Sequence, residues 1–73
     1  MTLQEKIEFL EEIMDVEEGI LNEDTILKDV EEWDSLSTLS LTVEIKKKYN
    51  KNLTTDEIKR FVTVGDVCEY IPD

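Results

Sequence analysis

The chain has 73 residues, 19 of them Asp or Glu against 8 Lys or Arg, contains no histidine, and carries a formal net charge of -11. A chain this short forms one small domain, residues 1–73, and buries only about 60% of the surface its unfolded form exposes, which leaves no room for a deep catalytic cleft beside the core. The acidic balance repels phosphate backbones, excludes nucleic acid as a partner and favours basic protein surfaces.

The first element in chain order is an amphipathic helix. Leu3, Ile7, Leu10 and Met14, with Phe9 and Ile13 alongside, recur at three- and four-residue steps, while Glu5, Glu8, Glu11 and Glu12 take the other side. Thr2 and Glu5 have the capping-box spacing, so the helix is predicted to start near Leu3. The preceding residues lack the basic start and apolar run of a signal peptide, and no apolar stretch approaches the ~20 residues of a membrane span. The lone Cys68 can form no internal disulfide and has no Cys or His neighbours for zinc, which suits a reducing compartment. The expected location is the cytoplasm.

From Asp15 to Asp34 the periodicity breaks down around Gly19, Asn22 and Asp24. Loops of this length are uncommon unless functional or interrupted by a helical turn, so the apolar residues Val16, Ile20, Leu21, Ile26, Leu27, Val30 and Trp33 are expected to pin it across the bundle. Its carboxylates do not fit the calcium-loop pattern and read as a solvated acidic surface; no metal site is expected.

Ser35 to Tyr49 reads as the second helix. At about 100° per residue, Leu41, Ile45 and Tyr49 form one apolar stripe and Leu36, Leu39 and Val43 a second. Ser37, Ser40, Glu44, Lys47 and Lys48 gather on a polar side, and Ser35 falls between the stripes. One stripe suffices for a core. The second is either buried by a domain wrapped around this helix or left as a partly open groove beside Ser35 for a partner or apolar cargo. Asp34 and Ser35 are candidate N-cap residues. Thr55 to about Arg60 follows as a short third helix, with Asp56 and Glu57 at its positive end. Thr63 caps a fourth from Val64 to Ile71, which Pro72 stops. The expected fold is all-α: a small four-helix bundle of three main helices and one short one, with a long loop between the first two.

Ser35 is not the nucleophile of an active site. Such a serine needs a base, most often histidine, and the nearest downstream lysines begin at Lys46, about three helical turns away. A hydroxyl at this position is better suited to modification, because the positive end of a helix tolerates an added phosphodiester.

Here the chain resembles the acyl carrier protein family, nearly end to end. Asp24-Thr25 lies mid-loop and Asp34-Ser35-Leu36 opens the second helix. Tyr49 closes that helix, and Thr63-Val64-Gly65-Asp66-Val67 starts the fourth. The resemblance implies that Ser35 receives 4'-phosphopantetheine from coenzyme A through a holo-carrier synthase, a phosphopantetheinyl transferase. It also implies that Asp34 assists the transfer by helping to hold magnesium, and that cargo rides as a thioester on the arm. Leu36, Leu39 and Val43 are the expected contacts with partners or cargo. Those partners would be an acyl-loading ligase or acyltransferase and downstream biosynthetic enzymes, fatty acid biosynthesis among them. The protein would be a non-enzymatic monomer. Two departures, Glu31-Glu32-Trp33 where glycine is usual and the run Lys46-Lys47-Lys48 where the second helix is usually acidic, point to a dedicated pathway carrier. Two rival readings are a carrier of an aminoacyl or other small acid loaded by an adenylating ligase, and an unmodified acidic helical adaptor.

Overall fold

The structure, a computed structural model, describes residues 1–72. It is helical, in the order α1 (Leu3–Met14), a 3-10 turn (Leu27–Asp29), α2 (Ser35–Tyr49), α3 (Thr55–Arg60) and α4 (Val64–Tyr70). Local chemistry sets the helix ends. Capping boxes open α1 at Thr2 with Glu5, α3 at Thr54 with Glu57 and α4 at Thr63 with Asp66. Asn50, in the left-handed conformation that asparagine tolerates, closes α2. α4 ends one residue before the expected Ile71, which is its C-cap. No helix among the described residues is long and apolar enough to cross a membrane.

α1 packs against both α2 and α4. Leu10, Leu41, Ile45, Val64, Val67 and Ile71 are each at most 1% exposed and form the centre of the core. Cys68 lies there too, as a small buried side chain whose thiol is pushed up in pKa by burial.

The long loop is tied down at both ends. At its start the Glu11 carboxylate, on α1, accepts hydrogen bonds from the backbone N-H groups of Gly19 (2.9 Å) and Leu21 (3.0 Å). Further on, Leu27 N-H donates to the Val62 carbonyl and Val64 N-H to the Thr25 carbonyl, both at 2.9 Å, in an antiparallel bridge. Gly65 N-H then donates to the Glu23 carbonyl at 2.9 Å. A Cβ on Gly65 would meet that same oxygen at 2.9 Å, so the loop can approach α4 this closely only over glycine. Leu21 and Leu27 are buried and Val16, Val30 and Trp33 partly so, as expected of loop anchors. Ile20 is not: it is 55% exposed, because the turn that Glu11 grips points it outward.

Glu11 therefore departs from the reading of α1 as having a wholly solvated acidic side. It is 3% exposed because the loop folds over it. Replacing it by alanine strands two buried or part-buried donors. Glu11→Ala should cost at least about 1.5–3 kcal/mol, the worth of hydrogen bonds to a charged group. Glu11→Gln, which keeps an acceptor, should recover most of that. Urea unfolding of the two variants measures the difference, and equal losses would mean that the loop is held by other contacts.

A second pinning carboxylate titrates usefully. Asp66 Oδ2 accepts from the N-H groups of Val62 (2.9 Å) and Thr63 (3.1 Å), and these bonds hold its pKa below the ordinary 3.8. With the folded value depressed, the stabilisation is present above the unfolded value and is lost as pH falls through the folded one. The thermal midpoint of Asp66→Asn should therefore lie below wild type at neutral pH and approach it in acid, below pH 3.8. A pH-independent gap between the two proteins would show that this carboxylate contributes no titrating stability.

Candidate functional site

Where the loop gives way to α2, the Asp34 carboxylate accepts from the N-H groups of Leu36 (3.1 Å) and Ser37 (3.0 Å). The Ser37 hydroxyl accepts from Asp34 N-H at 3.0 Å and donates to the Asp34 carbonyl at 3.1 Å. This is a capping box with serine in place of the usual Glu or Gln, and it fixes the first turn of the helix. Ser37, expected on the polar side of α2, is consequently buried at 5% exposure.

The hydroxyls of this turn have separate fates. Ser37 is occupied by the cap, and the Thr38 hydroxyl donates to the Ser35 carbonyl at 3.1 Å. Ser35 is the first helical residue, lies exposed, and its hydroxyl has no hydrogen-bond partner among the described residues. The positive end of the helix dipole lies there, so an anionic group on that oxygen meets favourable electrostatics. A phosphodiester fits this position without displacing any protein contact.

The three predicted contact residues all face solvent. Leu36, Leu39 and Val43 are 73%, 61% and 47% exposed, which settles the fate of the second stripe: the domain does not wrap it. The polar side of α2 instead runs beside α1, where Ser40, Glu44 and Lys48 share a shallow groove with Phe9 and Ile13. The Lys48 ammonium sits 5.0 Å from the Phe9 ring centroid, so one of the helix-end lysines is engaged within the protein. A helix that turns polar groups inward and leucines outward spends apolar surface on something other than its own core.

Beside this stripe, Asp34 and Leu36 line a depression with Ile13, Met14, Asp15 and Glu32. Asp15 and Glu32 were two among many solvated loop carboxylates in the sequence, and no local signal singles them out. The loop's return past the end of α1 brings them to Asp34. The result is an exposed apolar stripe with a carboxylate cluster at the end that carries Ser35. Among the described residues no group of acidic, Cys or His side chains is placed to hold a metal ion.

The sequence profile of the family described as "Phosphopantetheine attachment site" matches residues 7–71. An acyl carrier protein of Beutenbergia cavernae is 33% identical over 72 residues, covering 93% of this chain and 88% of that protein. The fold is similar to the solution NMR structure of a holo acyl carrier protein from Geobacter metallireducens, with a TM-score of 0.71 and 24% identity over 97% of this chain and 83% of that one.

Proposed function

The chain belongs to the acyl carrier protein family, whose members bear a covalent 4'-phosphopantetheine, and from that premise we propose that Ser35 is the residue that carries the arm. The observation that supports this choice is the state of the Ser35 hydroxyl, exposed and unengaged at a helix start while its neighbours in the same turn are bonded. When attached, the arm supplies the thiol on which an acyl group is held as a thioester. The chain's own residues present that arm. Asp34 holds the first turn in place and offers a carboxylate beside the acceptor oxygen, the position from which it would help hold the transferase's magnesium.

Partners of this family are the transferase that attaches the arm and the enzymes that handle acyl groups. We assign their docking to Leu36, Leu39 and Val43, with Asp15, Glu32 and Asp34 steering basic surfaces toward Ser35. Such contacts need not be tight, because the tether raises the local concentration of cargo once the carrier is docked. α2 carries one acidic residue, Glu44, against Lys46, Lys47 and Lys48 at its end, which favours a dedicated pathway over general fatty-acid synthesis.

Incubation with coenzyme A, magnesium and a promiscuous phosphopantetheinyl transferase, followed by intact mass and fragment mapping, tests the assignment. A gain of one arm on the peptide containing Ser35 supports it. Attachment at another residue, or no gain where a control carrier is loaded, overturns it.

A further inference from the structure

One surface groove differs in charge from the others. Four grooves described on this molecule are each lined by two or more carboxylates, as expected of a chain with 19 acidic residues. The groove between the long loop and α3 is lined by none. Its charged residues are Lys28, on the 3-10 turn, and Lys59, on α3. Both are exposed, and neither has an ion-pair or hydrogen-bond partner among the described residues. Lys59 falls in the last turn of α3, where a cation complements the helix dipole, but the three-residue turn that carries Lys28 is too short for a dipole to explain it. The acidic Glu57 of α3 is held in the cap at Thr54, at the other end of that helix.

The apolar part of the groove is left open as well. Trp33, Ile58 and Phe61 are half-buried, and Val62 is 57% exposed although its backbone is bonded on both sides, to Leu27 and to Asp66. Half-buried aromatic side chains with exposed charges at their edge make the pattern of an anchor pocket with a polar rim. Charge decides what fits it. A nucleic acid, an anionic membrane or a second copy of this chain carries negative charge over a wide area and meets the repulsion of the whole molecule, with its net charge of -11. A short acidic segment of another protein escapes that repulsion, because exposed charges more than about 8 Å away are largely screened at physiological salt, and Lys28 and Lys59 are what it meets.

Resting on the carrier reading given above, we propose that this groove is a second docking surface, opposite in polarity to the head of α2, and that it takes a partner-protein segment in which an apolar side chain is flanked by carboxylates. The apolar side chain seats against Trp33, Phe61 and Val62, and the carboxylates meet Lys28 and Lys59. Trp33 lies two residues before Ser35, within about 7 Å of chain, so a partner engaged here stands beside the arm. An enzyme that serves this carrier then presents a basic surface to Asp15, Glu32 and Asp34 and an acidic segment to the groove. A match of both signs fixes the orientation of docking. An enzyme whose contact surface is basic throughout places cations against Lys28 and Lys59 and is disfavoured.

The test titrates the full chain, without an arm, with three synthetic hexapeptides that share a central leucine-phenylalanine pair and carry two glutamates, two glutamines or two lysines on each side of it. Binding is read from the emission of Trp33, the chain's one tryptophan, and from amide shifts at Trp33, Ile58 and Phe61. The glutamate peptide should bind at these residues more tightly than the glutamine peptide, and about 0.5 M salt should remove the advantage. In the double variant Lys28→Gln/Lys59→Gln its dissociation constant should rise about two- to tenfold, the size expected of two exposed ion pairs, while the glutamine peptide is unaffected. The charge reversal Lys28→Glu/Lys59→Glu should exchange the preference and bring the lysine peptide to the groove. The proposal is overturned if the glutamate and glutamine peptides bind alike, if binding is indifferent to the lysines, or if glutarate shifts the same amides as strongly at equal carboxylate concentration, which would make this a site for simple anions. Shifts at these amides that grow with protein concentration alone would give the groove to a second copy, and phosphatidylglycerol vesicles that bind through the lysines where the peptide does not would give it to a membrane; either result overturns it too. Because no arm is present, none of these results touches the Ser35 assignment. A chain that prefers the glutamate peptide but never loads at Ser35 keeps the groove and loses the carrier reading.

Discussion

Ser35→Ala should abolish attachment of the arm completely and leave the fold as stable as wild type to within about 0.5 kcal/mol. The hydroxyl contributes no hydrogen bond to the protein, the residue is exposed, and alanine is a better helix former than serine. Neighbouring substitutions should behave in the opposite way. Ser37→Ala removes a buried hydroxyl that both accepts from and donates to the backbone of Asp34, so it should cost about 1–3 kcal/mol and still load. Asp34→Ala removes the cap and should cost about 0.5–2 kcal/mol. Asp34→Asn caps about as well but lacks the charge, so it isolates the proposed role in transfer. Its midpoint should match wild type while its loading rate falls. Intact mass against time and thermal melts of the four variants read both properties. Loading of Ser35→Ala at the wild-type rate would move the attachment point elsewhere, and an undiminished rate for Asp34→Asn would reduce Asp34 to a cap.

The second large effect separates the two faces of α2. Leu41→Ala should cost about 2–5 kcal/mol, because Leu41 has no exposed surface and its truncation leaves a cavity among core neighbours. At roughly 0.05–0.15 kcal/mol per residue a domain of this size has about 4–11 kcal/mol in total, so this one change consumes a large part of it. The midpoint should drop by more than about 8 °C. Leu39→Asp and Val43→Asp should barely move it. Those two should instead slow transfer to and from partner enzymes, with attachment of the arm affected less. Unfolding of Val43→Asp would place that side chain in the core, against its 47% exposure. Unchanged partner turnover in both would empty the stripe of its proposed role.

Much of this was legible because the rules that set it act over three or four residues. The boxes at Thr2 and Thr63, the start of α2 after Asp34 and the end of α4 ahead of Pro72 are local events, and the elements follow them closely. The wheel of α2 separated Leu41 and Ile45 from Leu36, Leu39 and Val43 correctly. It could not say which stripe the rest of the chain would cover, since that depends on where α1 and α4 come to lie. The same limit explains Glu11 and Ser37. Both are polar and so read as solvent-facing, although Glu11 follows Ile7 by four residues and Ser37 precedes Leu41 by four, at the border of the buried stripes; both are buried there because backbone donors or acceptors needed them. Ile20 errs the other way, an apolar residue exposed by the turn that Glu11 holds.

The sequence by itself determined the helices, their caps, the acidic surface and the hydroxyl at the head of α2, because each is decided by residues within one or two turns of one another. Only the tertiary structure decided that the long loop crosses to residues 62–65, that Asp15 and Glu32 meet beside Asp34, and that Lys28 and Lys59 share one apolar groove. Those pairings join positions from about 17 to 42 residues apart, and their geometry comes from how the core closes, on which helical periodicity places no constraint.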